Sequence, residues 1–260
     1  MTNNTYRYFI ELAYKGTNYH GWQIQPNAIT VQADLNNALK ILSKENIETI
    51  GCGRTDTGVH ASQFYAHFDS IAETEEIKLW IRKLNSILKN NIFIIDIHAV
   101  HSNAHARFDA TSRSYSYYIA KHKAIFQRDL MWYTPIALDV NYLNSLSEIL
   151  KSTRKFESFS KTGVEYSTFE CDIKEAIWKE HEHSYEFTIT ANRFLRGMVR
   201  AIVGTLYEFN KMQLPASMLV DIISSADRSK AGHAAPPQGL FLEQITYPYL
   251  SKLSQSPFQL

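Results

Sequence analysis

Cysteine is scarce in this sequence. Only Cys52 and Cys171 occur among 260 residues, and they lie in different halves of the chain. Two cysteines build neither a disulfide framework nor a four-cysteine zinc site. The scarcity excludes the disulfide-rich secreted class and predicts a reducing, cytoplasmic location.

Glycine, proline and long apolar runs are also in short supply. The chain has 10 glycines and 7 prolines, whereas aromatic residues reach 13%. Collagen-like and disordered classes are therefore excluded, because both have the opposite composition. No apolar run approaches the roughly 20 residues of a membrane span, and the start of the chain lacks the order of a signal peptide. We expect a soluble chain without a membrane partner, long enough for one large core or two joined lobes.

An excess of charge of one sign is missing too. The formal net charge is +1, so total charge does not point to a polyanionic partner. Residues 104–128 differ, because they contain one acid, Asp109, and five basic residues. These basic residues are Arg107, Arg113, Lys121, Lys123 and Arg128. The stretch is either a strip that faces phosphates or a solvated strand edge whose cations oppose aggregation.

The spacing of apolar residues predicts strands mixed with helices. Strands are predicted at residues 6–14, 63–68, 92–100, 114–121, 173–179, 185–191 and 239–247. Helices are predicted at residues 31–42, 80–88, 143–150 and 194–206. Crossovers that would force parallel pairing are few, so the expected class is α+β with a mainly antiparallel sheet. A boundary near Asn103 divides the chain into an N-terminal lobe, 1–103, and a C-terminal lobe, 104–260.

The predicted helix at residues 194–206 carries basic residues as well as an apolar stripe. Arg193, Arg196 and Arg200 are spaced by three and four residues, which puts them on one side of a helix. The pattern predicts a basic ridge on a packed helix.

Residues 51–61 hold the densest group of special residues. They fit neither the dinucleotide-binding glycine pattern nor the phosphate-binding loop, because the third glycine comes too late and no lysine follows Gly58. What remains is a tight loop that presents Asp56 two residues after Arg54, just before a strand. A surface turn capped by Asp56 is the alternative interpretation.

Metal and nucleophilic-cysteine sites are not indicated. The histidines include no H-E-x-x-H pair, and His181 and His183 lie in a predicted hairpin turn. Cys52 is better explained as a small side chain packed beneath the loop than as a nucleophile. We therefore expect no metal.

Four ordered motifs carry a resemblance to a known family. Residues 53–61 read G-R-T-D-T-G-V-H-A, and residues 14–25 read Y-K-G-T-N-Y-H-G-W-Q-I-Q. The other two are H-A-R-F at 105–108 with R-S-Y-S-Y at 113–117, and M-V-R at 198–200 with G-L-F-L at 239–242. Together they resemble the TruA family of tRNA pseudouridine synthases over nearly the whole chain. The chain departs from the family pattern at Lys15, Asp109, Ser114 and Arg196-Gly197.

The resemblance implies a function and a fold. It implies an isomerase that converts uridine to pseudouridine at positions 38 to 40 of the tRNA anticodon stem-loop, without a cofactor. It also implies a homodimer, and two similar lobes whose mainly antiparallel sheets merge across a central basic cleft.

The resemblance also implies roles for single residues. Asp56 would attack ribose C1′ as a nucleophile or remove a ribose proton to give a glycal, and the sequence leaves both routes open. Tyr115 would stack on the uracil and help to move its C5 proton, and Arg200 would pair with Asp56 to keep it ionised. Without the motifs, Tyr115 reads equally well as a core strand residue.

Further residues are expected to bind the substrate. Arg54 would fill the space of the flipped-out nucleotide, and Leu240 would pack against the uracil ring or be ordinary core. Arg107, Lys121 and Lys123 belong to the basic stretch and would contact phosphates.

Two rival functions use part of the same residues. A non-catalytic RNA-binding module would explain the aromatic strands as base-stacking surfaces but leaves the Asp56 loop unexplained. A methyltransferase or similar RNA-modifying enzyme would need a glycine-rich cofactor loop after a strand, which the sequence lacks.

Overall fold

The computed structural model describes residues 5–88, 90–123 and 125–250. Within these ranges the strands are β1 Tyr6–Tyr14, β2 Ile50–Gly51, β3 His60–Ser70, β4 Ile92–Val100, β5 Ser112–Ala120, β6 Trp132–Tyr133, β7 Ile173–Glu180, β8 Ser184–Ala191 and β9 Leu240–Thr246. The α-helices are α1 Val31–Ser43, α2 Thr74–Ile87, α3 Val140–Ser152, α4 Met198–Met212 and α5 Ala216–Ser224. All helices among these residues are too short or too polar to cross a membrane.

Contacts within the chain define two compact units. Unit 1 comprises Met1–Thr111 with Leu242–Leu260, and unit 2 comprises Ser112–Phe241. Asn103 lies inside unit 1, and the segment 242–250 returns to that unit. Hydrogen bonds explain the return: Ile245 N donates to Gln63 Oε1 at 3.0 Å, and Thr111 N donates to the Thr246 carbonyl at 2.8 Å.

In unit 1, β1 lies between β4 and β3 and is antiparallel to both. Ile10 is opposite Ala66 on one side and Ile97 on the other. The alternating sequence of β1 predicted a half-buried strand, but the strand is buried from Tyr8 onward. Even Glu11 is only 1% exposed, because it accepts hydrogen bonds from its two neighbouring strands. Gln63 Nε2 donates at 2.7 Å, and His98 Nε2 lies 3.2 Å away.

Two amphipathic helices complete unit 1. Thr30 caps α1 by accepting a hydrogen bond from Ala33 N at 3.3 Å. The helix α2 begins at Thr74, six residues before the predicted start at Trp80, and Trp80 stacks on Phe68 of β3 at 6.4 Å. Its first three residues are exposed and two of them are acidic, so apolar spacing marks the helix only from the buried Ile77 onward.

In unit 2, β8 lies between β5 and β7 in an antiparallel sheet. The Asn144 side chain of α3 fastens that helix to β7 by accepting from Trp178 N at 2.8 Å and donating to the Trp178 carbonyl at 3.0 Å. The α+β class with mainly antiparallel pairing is confirmed. The short β2 and β6 and the helix α5 were not predicted; two-residue strands have no readable period.

The prediction that three arginines form a basic ridge on one helix is wrong for two of them. Helix α4 begins at Met198, because its N-cap Gly197 has a φ of 72°, in the left-handed region that favours glycine. Arg193 and Arg196 therefore precede the helix, and Arg200 alone of the three lies on it. Helical spacing alone does not show that Gly197 marks the start of the helix.

Candidate active-site residues

The Asp56 loop, defined as residues 51–59, runs from the last residue of β2 to the start of β3 in unit 1. Cys52 N donates to the Tyr65 carbonyl at 2.7 Å, which ties the start of the loop to β3. Val59 N donates to the Asp56 carbonyl at 3.1 Å and closes a turn, in which Gly58 has a φ of 79°. The backbone around Asp56 is therefore fixed at both ends.

The opening motif, residues 14–25, packs directly against the Asp56 loop. The Tyr14 and Thr55 hydroxyl oxygens lie 2.9 Å apart, and Trp22 N donates to the Thr55 carbonyl at 3.3 Å. Gly58 N donates to the Tyr19 carbonyl at 3.2 Å. Two motifs separated by about 30 residues thus form one structural unit that holds Asp56.

Glycine allows this close approach at two positions of the opening motif. A Cβ atom on Gly16 would lie 2.0 Å from the Val59 carbonyl oxygen, and one on Gly21 would lie 2.3 Å from that of Thr55. Gly53, within the loop itself, has no atom within 4 Å of the place where its Cβ would be. Glycine is therefore required at positions 16 and 21 because backbones come into contact there, and not because the loop needs to be flexible.

An aromatic cluster lies under the loop. Trp22 stacks on Phe64 of β3 at 4.1 Å, and Tyr14 meets the edge of Phe64 at 5.5 Å. Gly51 makes room for the indole, since its Cβ would lie 2.5 Å from Trp22 Nε1. Cys52, which follows Gly51 in the chain, is 1% exposed. The packing gives the loop a rigid base.

Side chains alternate in exposure along the loop. Thr55 is buried, Asp56 is half-buried and Arg54 is exposed. The loop therefore presents an acid and a cation from one fixed backbone segment. Arg107, the third expected site residue of unit 1, is exposed, and its guanidinium carbon lies 5.5 Å from the centre of the Phe108 ring.

Unit 2 carries the other expected site residues, beginning with Tyr115. This tyrosine is half-buried on β5 opposite Ile189 of β8. Phe194 meets the Tyr115 ring edge-on at 5.2 Å and 89°. The sequence does not reveal Phe194 as a neighbour of Tyr115, because apolar spacing places Phe194 in the predicted helix at 194–206. Gly197 was the signal that the helix begins after it.

Arg200 is oriented by the chain segment that precedes β9. Its Nε donates to the Ala235 carbonyl at 2.7 Å, and Ala235 N donates back to the Arg200 carbonyl at 2.9 Å. Gly204, one turn later, allows this contact, since a Cβ there would lie 1.7 Å from the His233 carbonyl oxygen. The guanidinium of Arg200 is thereby held in one orientation on a buried helix.

Leu240 lies at the start of β9 and is 6% exposed. The neighbouring Gly239 packs on Tyr117, whose ring would be 2.8 Å from a Cβ at that position. The Tyr117 hydroxyl donates to the Pro236 carbonyl at 2.7 Å. Burial raises the pKa of Tyr117 far above its usual range, although the charge of Arg200 lowers it, so the phenol stays neutral.

The two lysines of the basic stretch differ in their surroundings. Lys121 Nζ lies 2.6 Å from Glu180 Oε1 and 4.9 Å from the centre of the Tyr185 ring. Lys123 is exposed. Part of the positive charge expected at Lys121 is therefore already paired within unit 2.

The expected site residues divide between the two units. Unit 1 contains Arg54, Asp56 and Arg107, and unit 2 contains Tyr115, Lys121, Lys123, Arg200 and Leu240. Over the part of the chain that the structure describes, histidine, cysteine and acidic side chains form no group of three that could hold a metal ion.

Similarity to known proteins agrees with the motifs. Residues 150–248 match a family described as tRNA pseudouridine synthase. A tRNA pseudouridine synthase A from Parabacteroides distasonis is 43% identical over 93% of this chain and 96% of its own length. Those from Bacteroides fragilis and Porphyromonas gingivalis are 45% and 43% identical, over 93% of this chain and 96% and 97% of their own lengths.

These relatives match this chain over nearly the full length of both chains. The expected family and isomerase activity are confirmed. The chain belongs to the tRNA pseudouridine synthase A family.

Proposed function

We propose that this enzyme isomerises uridines at positions 38 to 40 of the tRNA anticodon stem-loop, with Asp56 as its catalytic carboxylate. The reaction breaks the bond from ribose C1′ to uracil N1, turns the ring, and joins C1′ to C5. The C5 proton leaves and N1 gains a proton, so the composition of the nucleotide does not change. The observation that carries the proposal is the fixed Asp56 loop, in which two motifs hold one half-buried acid.

The rigid loop suits either chemical route. As a nucleophile, an ionised Asp56 carboxylate would attack C1′; as a base, it would remove a ribose proton to give a glycal. Both routes need the carboxylate oxygen at a fixed distance from the ribose. A backbone held by Tyr14, Trp22 and Tyr19 meets that need without further ordering when the substrate binds.

Tyr115 and Arg200 are the other two proposed catalytic residues. Tyr115 would stack on the uracil, and the Phe194 ring supports its orientation from the side. Arg200 would keep the Asp56 carboxylate ionised, and its bond to the Ala235 carbonyl fixes the plane of the guanidinium. A double-mutant cycle between Asp56 and Arg200 measures whether the two act together.

The remaining proposed residues bind the substrate. Exposed Arg54 would stack in the space of the flipped nucleotide, and Leu240 would pack against the uracil. Arg107, Lys121 and Lys123 would contact phosphates. Because Glu180 already pairs with Lys121, exposed Lys123 should contribute more to phosphate binding.

The proposal includes a setting for the reaction. We propose that the enzyme works in the cytoplasm as a homodimer and needs no added cofactor. Analytical sedimentation gives the mass of the assembly and so tests the homodimer. An assay from which every small molecule is omitted tests whether a cofactor is needed.

The test is tritium release from C5-labelled uridine in tRNA, without any cofactor. Asp56→Asn keeps the size of the side chain but removes the nucleophile and base, so we expect turnover to fall by about 1,000-fold or more while tRNA binding stays within about threefold. The control is Asp221→Asn on exposed α5, which should match the parent. Activity of Asp56→Asn within tenfold of the parent would contradict the assignment.

The same assay separates the target positions and the rival functions. Transfer RNAs that keep one uridine, at position 38, 39 or 40, identify which positions react. Binding of tRNA without tritium release indicates a non-catalytic module. Release that depends on an added methyl donor indicates a methyltransferase.

A further inference from the structure

The 104–109 loop of unit 1 combines a fixed backbone with an exposed aromatic side chain. Ala104 and Ala106 are fully buried, whereas Arg107 is exposed and Phe108 is 73% exposed. The loop contains no glycine, and Asp109 ends it. An exposed phenylalanine is ordinary on a mobile loop, but here the surrounding structure determines its position.

Side chains of unit 1 hold the backbone on the N-terminal side of Arg107. Arg7 Nη1 donates to the Ala104 carbonyl at 3.1 Å, and the Tyr247 hydroxyl donates to the Ala106 carbonyl at 2.5 Å. His67 Nδ1 accepts from Ala106 N at 3.1 Å. Three side chains distant in sequence therefore fix two residues of a surface loop.

Two side chains of the loop also accept hydrogen bonds from the loop's own backbone. His105 Nδ1 accepts from Arg107 N at 3.1 Å and from Phe108 N at 3.3 Å. Asp109 Oδ2 accepts from His105 N at 2.8 Å and from the Tyr249 hydroxyl at 2.8 Å. Asp109, which departs from the family pattern, thus closes the loop and ties it to Tyr249, which follows β9.

Both histidines must be neutral to make these contacts, since a backbone N–H can only donate and Nδ1 must accept. Burial is the main cause that lowers the pKa of His67 to about 4, with the charges of His105 and Arg7 adding to it. Burial also lowers the pKa of His105. The loop therefore keeps its hydrogen bonds at neutral pH.

Three rings in contact lead to the surface. The ring centroids of His67 and His105 lie 4.6 Å apart with the rings edge-on at 62°, and those of His105 and Phe108 lie 4.3 Å apart with the rings tilted by 34°. The guanidinium of Arg107 lies 5.5 Å from the Phe108 ring. An aromatic ring beside a cation matches an unpaired nucleotide, which offers a base to stack and a phosphate to pair.

We propose that Phe108 stacks on an unpaired base of the tRNA while Arg107 contacts the adjacent phosphate. The proposal rests on the proposed action on tRNA for the identity of the ligand. A ring held in place before binding loses little conformational entropy when a base stacks on it, which favours affinity.

The experiment compares tRNA binding by variants at residue 108 in the Asp56→Asn background, where no turnover interferes. We expect Phe108→Ala to raise Kd about tenfold, because base stacking on an aromatic ring contributes that order of affinity. Phe108→Trp should stay within about threefold of the parent. Phe108→Leu should behave like Phe108→Ala, because it keeps apolar area but has no aromatic face. The matched control is Phe93→Ala on β4, an exposed phenylalanine of the same unit, which should leave Kd unchanged.

Two further measurements separate stacking from charge. Phe108→Ala should leave the slope of log Kd against log salt unchanged, whereas Arg107→Ala should lower it by about one. A fully paired RNA duplex offers no unstacked base, so its Kd should not respond to Phe108→Ala.

Several outcomes would overturn the stacking site. They are an unchanged Kd for Phe108→Ala, a parent-like Kd for Phe108→Leu, or an equal loss for duplex RNA. A change in oligomeric state without RNA would assign the surface to a protein contact instead. Turnover of the parent enzyme tests the proposed function separately, so failure of one is distinguishable from failure of the other.

Discussion

The Asp56 loop and the 104–109 loop fix their side chains by opposite means. The Asp56 loop is held by close approach of backbones, which depends on Gly16 and Gly21. The 104–109 loop has no glycine and is held by side chains that bond to its backbone, chiefly those of His67, His105 and Asp109. One loop presents the acid that we propose to be catalytic, and the other presents a ring and a cation.

Because the two loops are held by different contacts, they should be sensitive to different changes. A loop held by backbone contact is disrupted when a Cβ atom replaces a glycine hydrogen at the contact. The carbonyl oxygen of the neighbouring segment can move away only if its backbone shifts, which costs free energy. A loop held by neutral histidines fails when they are protonated. Steric substitutions should therefore damage the first loop, and acid should damage the second.

The largest effect is expected from Gly21→Ala. The residue has a φ of 85°, and its Cβ would lie 2.3 Å from the Thr55 carbonyl oxygen. Backbone strain and overpacking together should cost about 3 kcal/mol or more of unfolding free energy and reduce turnover strongly. Urea unfolding and tritium release measure the two effects.

Gly53→Ala is the matched control for this substitution within the Asp56 loop. No atom lies within 4 Å of its Cβ position, so its unfolding free energy should stay within about 1 kcal/mol of the parent. Equal losses for the two variants would mean that the Asp56 loop is not held by backbone contact.

A smaller effect is expected from acid through His67. Its pKa is lowered from 6.5 to about 4, mainly by burial, and neighbouring His105 and Arg7 lower it whereas Asp69 and Asp109 raise it. The unfolded chain binds a proton below pH 6.5 while the folded chain does not, so the stability contributed above pH 6.5 is lost as pH falls toward 4. Between pH 7 and 5 the loss should be about 1 to 2 kcal/mol.

His67→Gln tests this pH dependence, because glutamine keeps an acceptor for Ala106 N but does not titrate. The variant should lose less stability than the parent between pH 7 and 5 in urea unfolding followed by circular dichroism. His233→Gln, an exposed histidine of unit 2, is the control and should keep the parental profile. An unchanged profile for His67→Gln would contradict the role of His67.

The smallest effect is expected from Tyr249→Phe. The variant loses the hydrogen bond to Asp109 Oδ2, but His105 N still donates to the same oxygen. We expect a loss of about 1 kcal/mol in unfolding free energy and unchanged turnover. Tyr166→Phe, whose hydroxyl is 3.4 Å from the Lys161 carbonyl, is the control and should change less. A large loss of turnover would show that the 104–109 loop acts on the chemistry as well.

Much of the fold was predictable because apolar periodicity reports burial directly. The predicted strand at 6–14 and strand at 92–100 match β1 and β4 in their bounds. The helix at 194–206 was placed too early, since an apolar stripe continues through Phe194 and Leu195 although Gly197 starts the helix. Local spacing does not distinguish a helix from the apolar segment that leads into it.

The burial of Glu11 shows a second limit of sequence reasoning. In β1 an acid between apolar residues predicts a solvent-facing side. Its partners Gln63 and His98 come from two strands that are distant in the chain, and they make burial tolerable. Only strand pairing reveals such a partner.

The sequence by itself determined the family and the reaction class, because short motifs keep the residues of a family in a recognisable order and spacing. The tertiary structure decided how those motifs are used. It brought residues 14–25 against the Asp56 loop, and it tied 104–109 to Arg7, His67, Tyr247 and Tyr249. The physical reason is that rigidity comes from contacts between segments far apart in the chain, which the local order of residues does not encode.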